Sequence, residues 1–410
     1  MAILSVMLQL LNKKYPASNI GVLTADKISK NTSLDGADFI LNSYLYFCIY
    51  KSKNFLSRIL NVFYVLAITL LWASIYKFLK INTSILMPAQ IRKTSNSFLN
   101  ADLIVPVGGG YLRGSKSIQS NLTLIIQLHS ILISIILGKK IILYSQSIGP
   151  FENVFQKLIT KIILNMVDAI FVRENNTLRT LKSIGVKNKL IYKTVDAAFG
   201  FKTNTKNKMK KELSGMGINS FDNLIGITVR EWLPDDKQLI FENEIAEFVK
   251  YLVNNKKKIV VFIPQVDSSF HNDNDRKVNE RIVFKLKNLK NVYIINKNYS
   301  HTEIKGIYEN LHFLIGTRMH SVIFALTGYV PSIAIEYEYK TNGMMKDLGL
   351  KEWVINIEKV NSDILIAIYN KIVISRSSYL KILNVSIPKV RKNVDFAVEY
   401  LNKVYLAKKL

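Results

Sequence analysis

Two rounds of alternating strand-like and helix-like segments constrain the fold of this chain more than any other feature. Short apolar runs alternate with longer helical segments, and the alternation restarts after a polar, lysine-rich linker at residues 203–211. Repeated βα units predict a parallel sheet with helices on both faces. We therefore expect an α/β fold of two tandem doubly wound, Rossmann-like domains. The predicted strands are residues 19–25, 102–107, 140–145, 169–172, 190–193, 224–229, 259–263, 292–295, 311–315 and 331–335.

The predicted domains are an N-terminal domain at residues 1–202 and a C-terminal domain at residues 203–375. A helical tail at residues 376–410, with its helix at 388–406, is expected to pack back on them. At 410 residues, with 49% hydrophobic residues, the chain can bury two cores of ordinary size.

An octet at residues 314–321, Leu-Ile-Gly-Thr-Arg-Met-His-Ser, joins a predicted strand to a predicted helix. Ligands of open parallel sheets bind beyond the carboxyl ends of the strands, and free N–H groups at a helix start favour anions there. Arg318 adds a planar cation suited to a carboxylate or phosphate, and His320 suits proton transfer near neutral pH. The alternative is an arginine paired with an internal carboxylate and a histidine satisfied at the helix start.

Other predicted strand ends also carry candidate site residues. A glycine run after the second strand is expected to hold an anion through its backbone N–H groups, with a tight turn as the alternative. Polar side chains that end the third strand are expected to donate hydrogen bonds to a ligand. Arg230, at the end of the first strand after the linker, is a second cation for the same crevice; Asp196 and His271 are looser candidates. The glycines and polar residues are Gly108, Gly109, Gly110, Ser145, Gln146 and Ser147.

Eight segments form one ordered set between residue 1 and about residue 355. They are Val107-Gly-Gly-Gly-Tyr111, Ser145-Gln-Ser-Ile-Gly-Pro150, Phe171-Val-Arg-Glu174, Leu181-Lys-Ser-Ile-Gly185, Asp196-Ala-Ala-Phe199, Gly316-Thr-Arg-Met-His320, Tyr337-Glu-Tyr-Lys340 and Asp347-Leu-Gly-Leu350. Together they resemble the polysaccharide pyruvyl transferase family, whose members move the pyruvyl group of phosphoenolpyruvate onto sugar hydroxyls. The resemblance implies a GT-B-like fold with an acceptor-binding N-terminal domain and a donor-binding C-terminal domain.

The resemblance also implies roles for the candidate residues. Phosphoenolpyruvate carries a carboxylate and a phosphate, so Arg318 and Arg230 are expected as its two cationic clamps, with Met319 and Lys340 also on the donor. His320 is expected to protonate the methylene carbon, after which a sugar hydroxyl attacks the oxocarbenium-like centre. The glycine run and the polar residues 145–147 are expected on the acceptor.

The helix start disfavours the cationic form of His320, so Glu336 or Glu338 is expected to offset it. The donor is a substrate, and neither a cofactor nor a metal is expected. Asp267, Asp273 and Asp275 lack the pattern of a calcium loop and are expected in a solvated loop.

The N-terminus departs from the family pattern. Family members usually open with a strand and an Asn-x-Gly-Asp loop before the first helix, whereas residues 1–8 here already have the pattern of that helix. We therefore expect the first strand and its loop to be missing, which would leave the first sheet with an exposed edge or a gap.

The chain is strongly basic, with 56 lysine and arginine residues against 30 acidic residues and a formal net charge of +26. Such charge favours a polyanionic partner, although a compositional bias toward lysine accounts for part of it. Zinc-ligand spacing and basic blocks interleaved with aromatics are absent from the sequence, so nucleic acid is not expected as a partner. The single Cys48 excludes an internal disulfide and suits a cytoplasmic location.

The uncharged segment at residues 59–76 is apolar and flanked by cationic residues on both sides. As a helix it would be about 27 Å long, just short of a bilayer core. It is expected to lie in the plane of an anionic membrane surface, to pack inside the protein, or to span the bilayer. A second uncharged segment, at residues 117–138, is expected as a buried helix that makes His129 a core residue.

Three functions are compatible with this sequence. The first is pyruvyl transfer to a glycan or lipid-linked oligosaccharide. The second is a GT-B glycosyltransferase reaction that uses a nucleotide sugar. The third is a non-catalytic role in membrane-associated glycan assembly.

Overall fold

The computed structural model describes residues 2–25, 34–50, 54–268, 273–287 and 289–406. The chain divides into two compact units: unit 1 comprises Met1–Ala197 with Asn393–Leu410, and unit 2 comprises Ala198–Lys392. The helices are α1 Ala2–Lys14, α2 Phe55–Leu79, α3 Ala89–Asn100, α4 Ile118–Ile136, α5 Val154–Leu164, α6 Asn175–Ser183, α7 Lys206–Gly215, α8 Asp235–Asn254, α9 Asp275–Lys285, α10 His301–Tyr308, α11 Met319–Thr327, α12 Tyr339–Asp347, α13 Ser362–Ile374 and α14 Arg376–Leu406. The strands are β1 Gly21–Thr24, β2 Phe39–Asn42, β3 Leu103–Ile104, β4 Lys140–Gln146, β5 Ala169–Val172, β6 Ile191–Lys193, β7 Leu224–Thr228, β8 Ile259–Phe262, β9 Asp267–Ser268, β10 Asp273–Asn274, β11 Val292–Ile294, β12 Phe313–Gly316, β13 Ser332–Glu336 and β14 Val354–Asn356.

Unit 1 is built on a parallel sheet of four strands in the order β3-β4-β5-β6, and β1 and β2 form a separate parallel pair. Strands β4 and β5 are almost wholly buried, as expected for the centre of a sheet covered on both faces. Helix α4 contacts β4, α2 and α5, and its His129 is buried as predicted. Burial lowers the pKa of His129 to about 4, so it is neutral in the core.

Unit 2 contains a parallel sheet of six strands in the order β11-β8-β7-β12-β13-β14. Numbered within the unit, this is the 3-2-1-4-5-6 order of a Rossmann fold, whose strand order reverses between the first and fourth strands. Those strands are β7 and β12, which pair directly and place Thr228 opposite Gly316. The predicted α/β, doubly wound class is confirmed.

The predicted strands all have counterparts among the described residues, but strands β2, β9, β10 and β14 and helices α3, α12 and α13 were not predicted. The helix predicted at residues 388–406 was placed too late, because α14 begins at Arg376 and contains Pro388 in its interior. Tyr379, Leu383 and Ile387 are each at most 1% exposed, and this packing offsets the backbone hydrogen bond that proline cannot make. Toward its other end, Phe396 lies against Phe171 and Tyr192 within unit 1.

Candidate functional site

The carboxyl ends of β7 and β12 form the switch point of the unit 2 sheet, where open α/β sheets bind their ligands. Buried hydroxyl groups join the two strand ends. The backbone N–H of Thr317 donates to the carbonyl of Thr228, and the hydroxyls of Thr228 and Ser321 lie 3.0 Å apart. The Ser321 hydroxyl also donates to the carbonyl of Arg318 at 2.6 Å. These bonds fix the turn that carries Arg318 from β12 into α11.

Arg318 is the N-cap residue of α11 and is buried. Its Nε lies 3.1 Å from Oδ1 of Asp275, and its Nη2 lies 2.5 Å from the same oxygen. Asp275 is fully buried and also accepts hydrogen bonds from the backbone N–H groups of Gln265 and Val266. The expectation of a solvated loop at Asp275 was therefore wrong: its carboxylate is the internal partner of Arg318. Burial raises the pKa of this carboxyl, and Arg318 and the backbone N–H groups oppose that rise.

Arg230 follows β7 and lies against two aromatic rings. Its guanidinium is 4.7 Å from the ring of Trp232 and 4.2 Å from the ring of Tyr337, which follows β13. The two rings are themselves 4.7 Å apart, and Trp232 is 44% exposed. Stacking of this kind holds a cation in place without neutralising its charge. Arg230 is 9% exposed, so it is not a solvated surface arginine.

The remaining predicted donor residues lie near the same strand ends. Met319 and His320 begin α11 and are half-buried. Lys340, after β13, lies 3.7 Å from Glu338. Glu336 accepts a hydrogen bond from Asn342 at 3.2 Å. A role for either glutamate beside His320 stays a prediction.

The glycine loop of unit 1 is paired on both sides, with the end of β4 and with the chain that follows it. Val107 pairs with Tyr144 and Leu112 with Ile148, while the N–H of Ser147 donates to the carbonyl of Gly109. The loop is thus an extension of the sheet, and it lies close to the backbone of residues 144–147.

The polar residues 145–147 are almost fully buried, and their side chains are bonded within the protein. The hydroxyl of Ser145 donates to the carbonyl of Val195, and Nε2 of Gln146 donates to the carbonyl of Pro106 and to the Tyr111 hydroxyl. The hydroxyl of Ser147 donates to Glu174 and accepts from Nε of Arg173. The side chains of residues 145–147 therefore stabilise the end of β4 through hydrogen bonds within the protein. Their contact with an acceptor stays a prediction.

Asp196 is part of the same network, because its carboxylate accepts a hydrogen bond from Nη1 of Arg173 at 2.6 Å. His271 lies outside the described residues. Among the residues that the structure describes, no group of three or more histidine, cysteine, aspartate or glutamate side chains could hold a metal ion.

Comparison of the sequence with known protein families identifies the family of this chain. A profile described as polysaccharide pyruvyl transferase matches residues 1–339. The chain belongs to the polysaccharide pyruvyl transferase family. One curated relative, the amylovoran biosynthesis protein AmsJ of Erwinia amylovora, is 23% identical over 299 residues, which cover 69% of this chain and 68% of AmsJ.

Solved structures similar to this pyruvyl transferase family member show its fold alone. A UDP-N-acetylglucosamine 2-epimerase matches with a TM-score of 0.60 at 14% identity, covering all of this chain and 94% of the other. A glycosyltransferase from Rickettsia africae matches with a TM-score of 0.57 at 13% identity, covering 98% of this chain and 93% of the other. Both support a GT-B-like fold with two Rossmann-like domains.

Sequence reasoning missed the roles of three residues near the ends of β7 and β12: Asp275, Trp232 and Tyr308. Tyr308 is buried, donates its hydroxyl hydrogen to Oε1 of Gln265, and has a pKa that burial raises well above its usual range. Only Trp232 carried a signal, since a tryptophan directly after a strand-end arginine suggests a stacked cation. The other two come from α9 and α10, which the octet motif does not include.

Substitution of Gly108 tests the close approach of the glycine loop to β4. A Cβ atom at this position would lie 1.9 Å from the carbonyl oxygen of Ser145, so Gly108→Ala is expected to destabilise the protein by about 1–3 kcal/mol. The control is Gly109→Ala, where the nearest atom is a ring carbon of Tyr111 at 3.2 Å. Thermal unfolding measures both; equal losses would contradict the proposed packing.

Proposed function

We propose that this family member transfers the pyruvyl group of phosphoenolpyruvate to a sugar of a cell-surface polysaccharide or its precursor and forms a pyruvate ketal. Family membership supports pyruvyl transfer. The printed name of AmsJ, a protein of amylovoran biosynthesis, supports a role in polysaccharide assembly. The observation on which we rest the proposal is that two arginines, Arg230 and Arg318, end adjacent strands at the switch point of the unit 2 sheet.

In this proposal the two arginines receive a small dianionic donor. Arg230 is a stacked cation, and Asp275 holds the plane of the Arg318 guanidinium in one orientation. A planar, fixed guanidinium matches a carboxylate or phosphate in two-point geometry. Backbone N–H groups at the start of α11 add to the attraction for negative charge. Met319 and Lys340 are proposed to border the donor.

The reaction begins when His320, as the imidazolium, gives its proton to the methylene carbon of the donor. The former enol carbon becomes an oxocarbenium-like centre, and a sugar hydroxyl adds to it and releases a proton to the imidazole. The carbon–oxygen bond to phosphate then breaks, and a second hydroxyl of the same sugar adds to that carbon and gives its proton to the departing phosphate. The products are a cyclic ketal and inorganic phosphate. The glycine loop at residues 108–110 is proposed to lie against the sugar acceptor. The reaction is proposed to take place in the cytoplasm.

Donor specificity is tested by thermal stabilisation with phosphoenolpyruvate and with UDP-glucose. A ligand at about 100 times its Kd raises stability by roughly 2.7 kcal/mol, which a melting curve resolves. We expect phosphoenolpyruvate to stabilise the wild type and Arg230→Met to remove the shift, since methionine keeps the apolar contact and loses the charge. Arg179→Met, at an exposed arginine of unit 1, is the control and should respond like the wild type.

A nucleotide-sugar glycosyltransferase is the second candidate. The half-exposed Trp232 beside Tyr337, at the ends of β7 and β13, offers an aromatic surface on which a base could stack. Stabilisation by UDP-glucose but not by phosphoenolpyruvate would favour this function and overturn the first.

A further inference from the structure

Helix α2 carries a second apolar face that the protein leaves uncovered. Among its exposed residues, Leu60, Phe63, Leu71 and Phe78 are between 60% and 79% exposed. At 100° per residue, these side chains and those of Leu56, Tyr64 and Ala67 fall within an arc of about 100° along the whole helix. A helix on the surface of a water-soluble protein normally has polar residues on its solvent-facing side. The stripe of exposed residues on α2 is called the α2 stripe below.

The opposite face of α2 is fixed inside unit 1. Val62, Val65 and Trp72 pack into a core with residues of α3 and α4. The hydroxyl of Thr69 is hydrogen-bonded to Nε2 of the buried His129 at 2.7 Å, and Nε1 of Trp72 donates to Asn82. By length and composition α2 and α4 could each cross a membrane. Because α2 is attached along its length to an α/β domain, it fits a bilayer surface and not a transmembrane span.

Helix α5 repeats the pattern in the same helical layer. Helix α4 contacts α2 and also contacts α5. The outward residues of α5 recur at helical spacing, and each is at least half exposed. They are Val154, Phe155, Leu158, Ile162 and Met166, just past the end of the helix.

The segment from Phe39 to Val167, which contains α2 and α5, has few acidic side chains. Between Phe39 and Val167 there are two acidic residues, Asp102 and Glu152, although the whole chain has 30. The same segment carries thirteen cationic residues. They are Lys51, Lys53, Arg58, Lys77, Lys80, Arg92, Lys93, Arg113, Lys116, Lys139, Lys140, Lys157 and Lys161. A chain-wide bias toward lysine does not explain a local depletion of acidic residues, whereas attraction to an anionic surface does.

We propose that the α2 stripe and the outer face of α5 dock unit 1 on an anionic lipid bilayer, with α2 lying in the membrane plane. Apolar side chains enter the boundary between headgroups and acyl chains, while Lys77 and Lys80 at the end of α2 meet lipid phosphate. Lys77 lies over the ring of Phe78, which is part of the stripe, so this cation and an aromatic group reach the interface together.

Vesicle flotation without donor or acceptor tests this proposal independently of the transferase reaction. The full chain is mixed with vesicles of phosphatidylcholine alone, or with vesicles in which phosphatidylglycerol replaces about one third of it. The test variant is Phe63→Glu with Leu71→Glu. The matched control is Phe284→Glu with Ile374→Glu, two exposed apolar residues of unit 2. All four side chains are mainly exposed, so the variants are expected to melt like the wild type.

We expect the wild type to float with anionic vesicles and to float less as salt increases. The α2 variant should lose at least about tenfold in vesicle partitioning, because two charged side chains replace apolar ones in the interface, and the unit 2 variant should keep its partitioning. Equal flotation of both variants, or no flotation of the wild type, would overturn the proposal. If the wild type does not float but forms a dimer, and the α2 variant is a monomer, the α2 stripe would instead be a contact with a second copy of this chain.

Discussion

Asp275→Ala is expected to lower the free energy of unfolding by roughly 3–5 kcal/mol, because it leaves the buried Arg318 guanidinium without its ion-pair partner. It also removes the acceptor of two backbone N–H groups, those of Gln265 and Val266. A loss of this size should lower Tm by on the order of 10 °C, which differential scanning calorimetry measures.

Two further variants separate charge from packing. The double variant Asp275→Leu with Arg318→Met removes both charges and should recover most of the stability lost in Asp275→Ala. Asp363→Ala, at an exposed aspartate, should change stability by less than about 0.5 kcal/mol. A loss below about 1 kcal/mol in Asp275→Ala, or a double variant less stable than the single one, would contradict the buried pair.

Much of the unit 2 site was predictable from sequence because the relevant signals are local. The octet placed β12, the turn and the start of α11 correctly, and a strand-end position placed Arg230 in the same crevice. The partner of Arg318 was not predictable, since Asp275 lies 43 residues earlier in a different helix. Side-chain pairing over such a separation depends on packing, which hydrophobic periodicity does not encode.

The unit 1 loop shows a second limit of sequence reasoning. A run of glycines and a Ser-Gln-Ser segment at strand ends fit both ligand binding and internal bonding. The structure buries the three polar side chains, and Arg173, Glu174 and Asp196 complete their network. The predicted contact of these side chains with an acceptor stays a prediction, because a strand-end position fixes where the backbone lies but not which way each side chain turns.

The apolar composition of residues 59–76 predicted helix α2, but it did not predict which face of the helix is exposed. Leu66 and Leu70 look equivalent to Phe63 and Leu71 in the sequence, yet the structure packs Leu66 and Leu70 against the core. In a helix that is apolar on all sides, the sequence has no polar face that would indicate which side is exposed to solvent. Tests of lipid contact therefore have to use the exposed positions that the structure identifies.

His320→Gln is expected to lower kcat for pyruvyl transfer by about 10²–10⁴-fold, because glutamine can donate a hydrogen bond but cannot deliver a proton to carbon. That loss corresponds to roughly 3–5 kcal/mol in the activation barrier. The measurement is phosphate release from phosphoenolpyruvate in the presence of a lipid-linked glycan fraction. His312→Gln, the same substitution at a half-buried histidine just before the amino end of β12, is the control and should retain most of the rate.

The division of the effect between kcat and donor binding decides what His320 does. If it acts in proton transfer, His320→Gln should still be stabilised by phosphoenolpyruvate, because the arginines proposed to hold the donor are intact. Loss of that stabilisation together with the rate would instead assign His320 to donor binding. A variant with wild-type kcat would rule out the proton-transfer role, and the imidazole at the start of α11 would then be a structural group at the helix terminus, the alternative that the sequence left open.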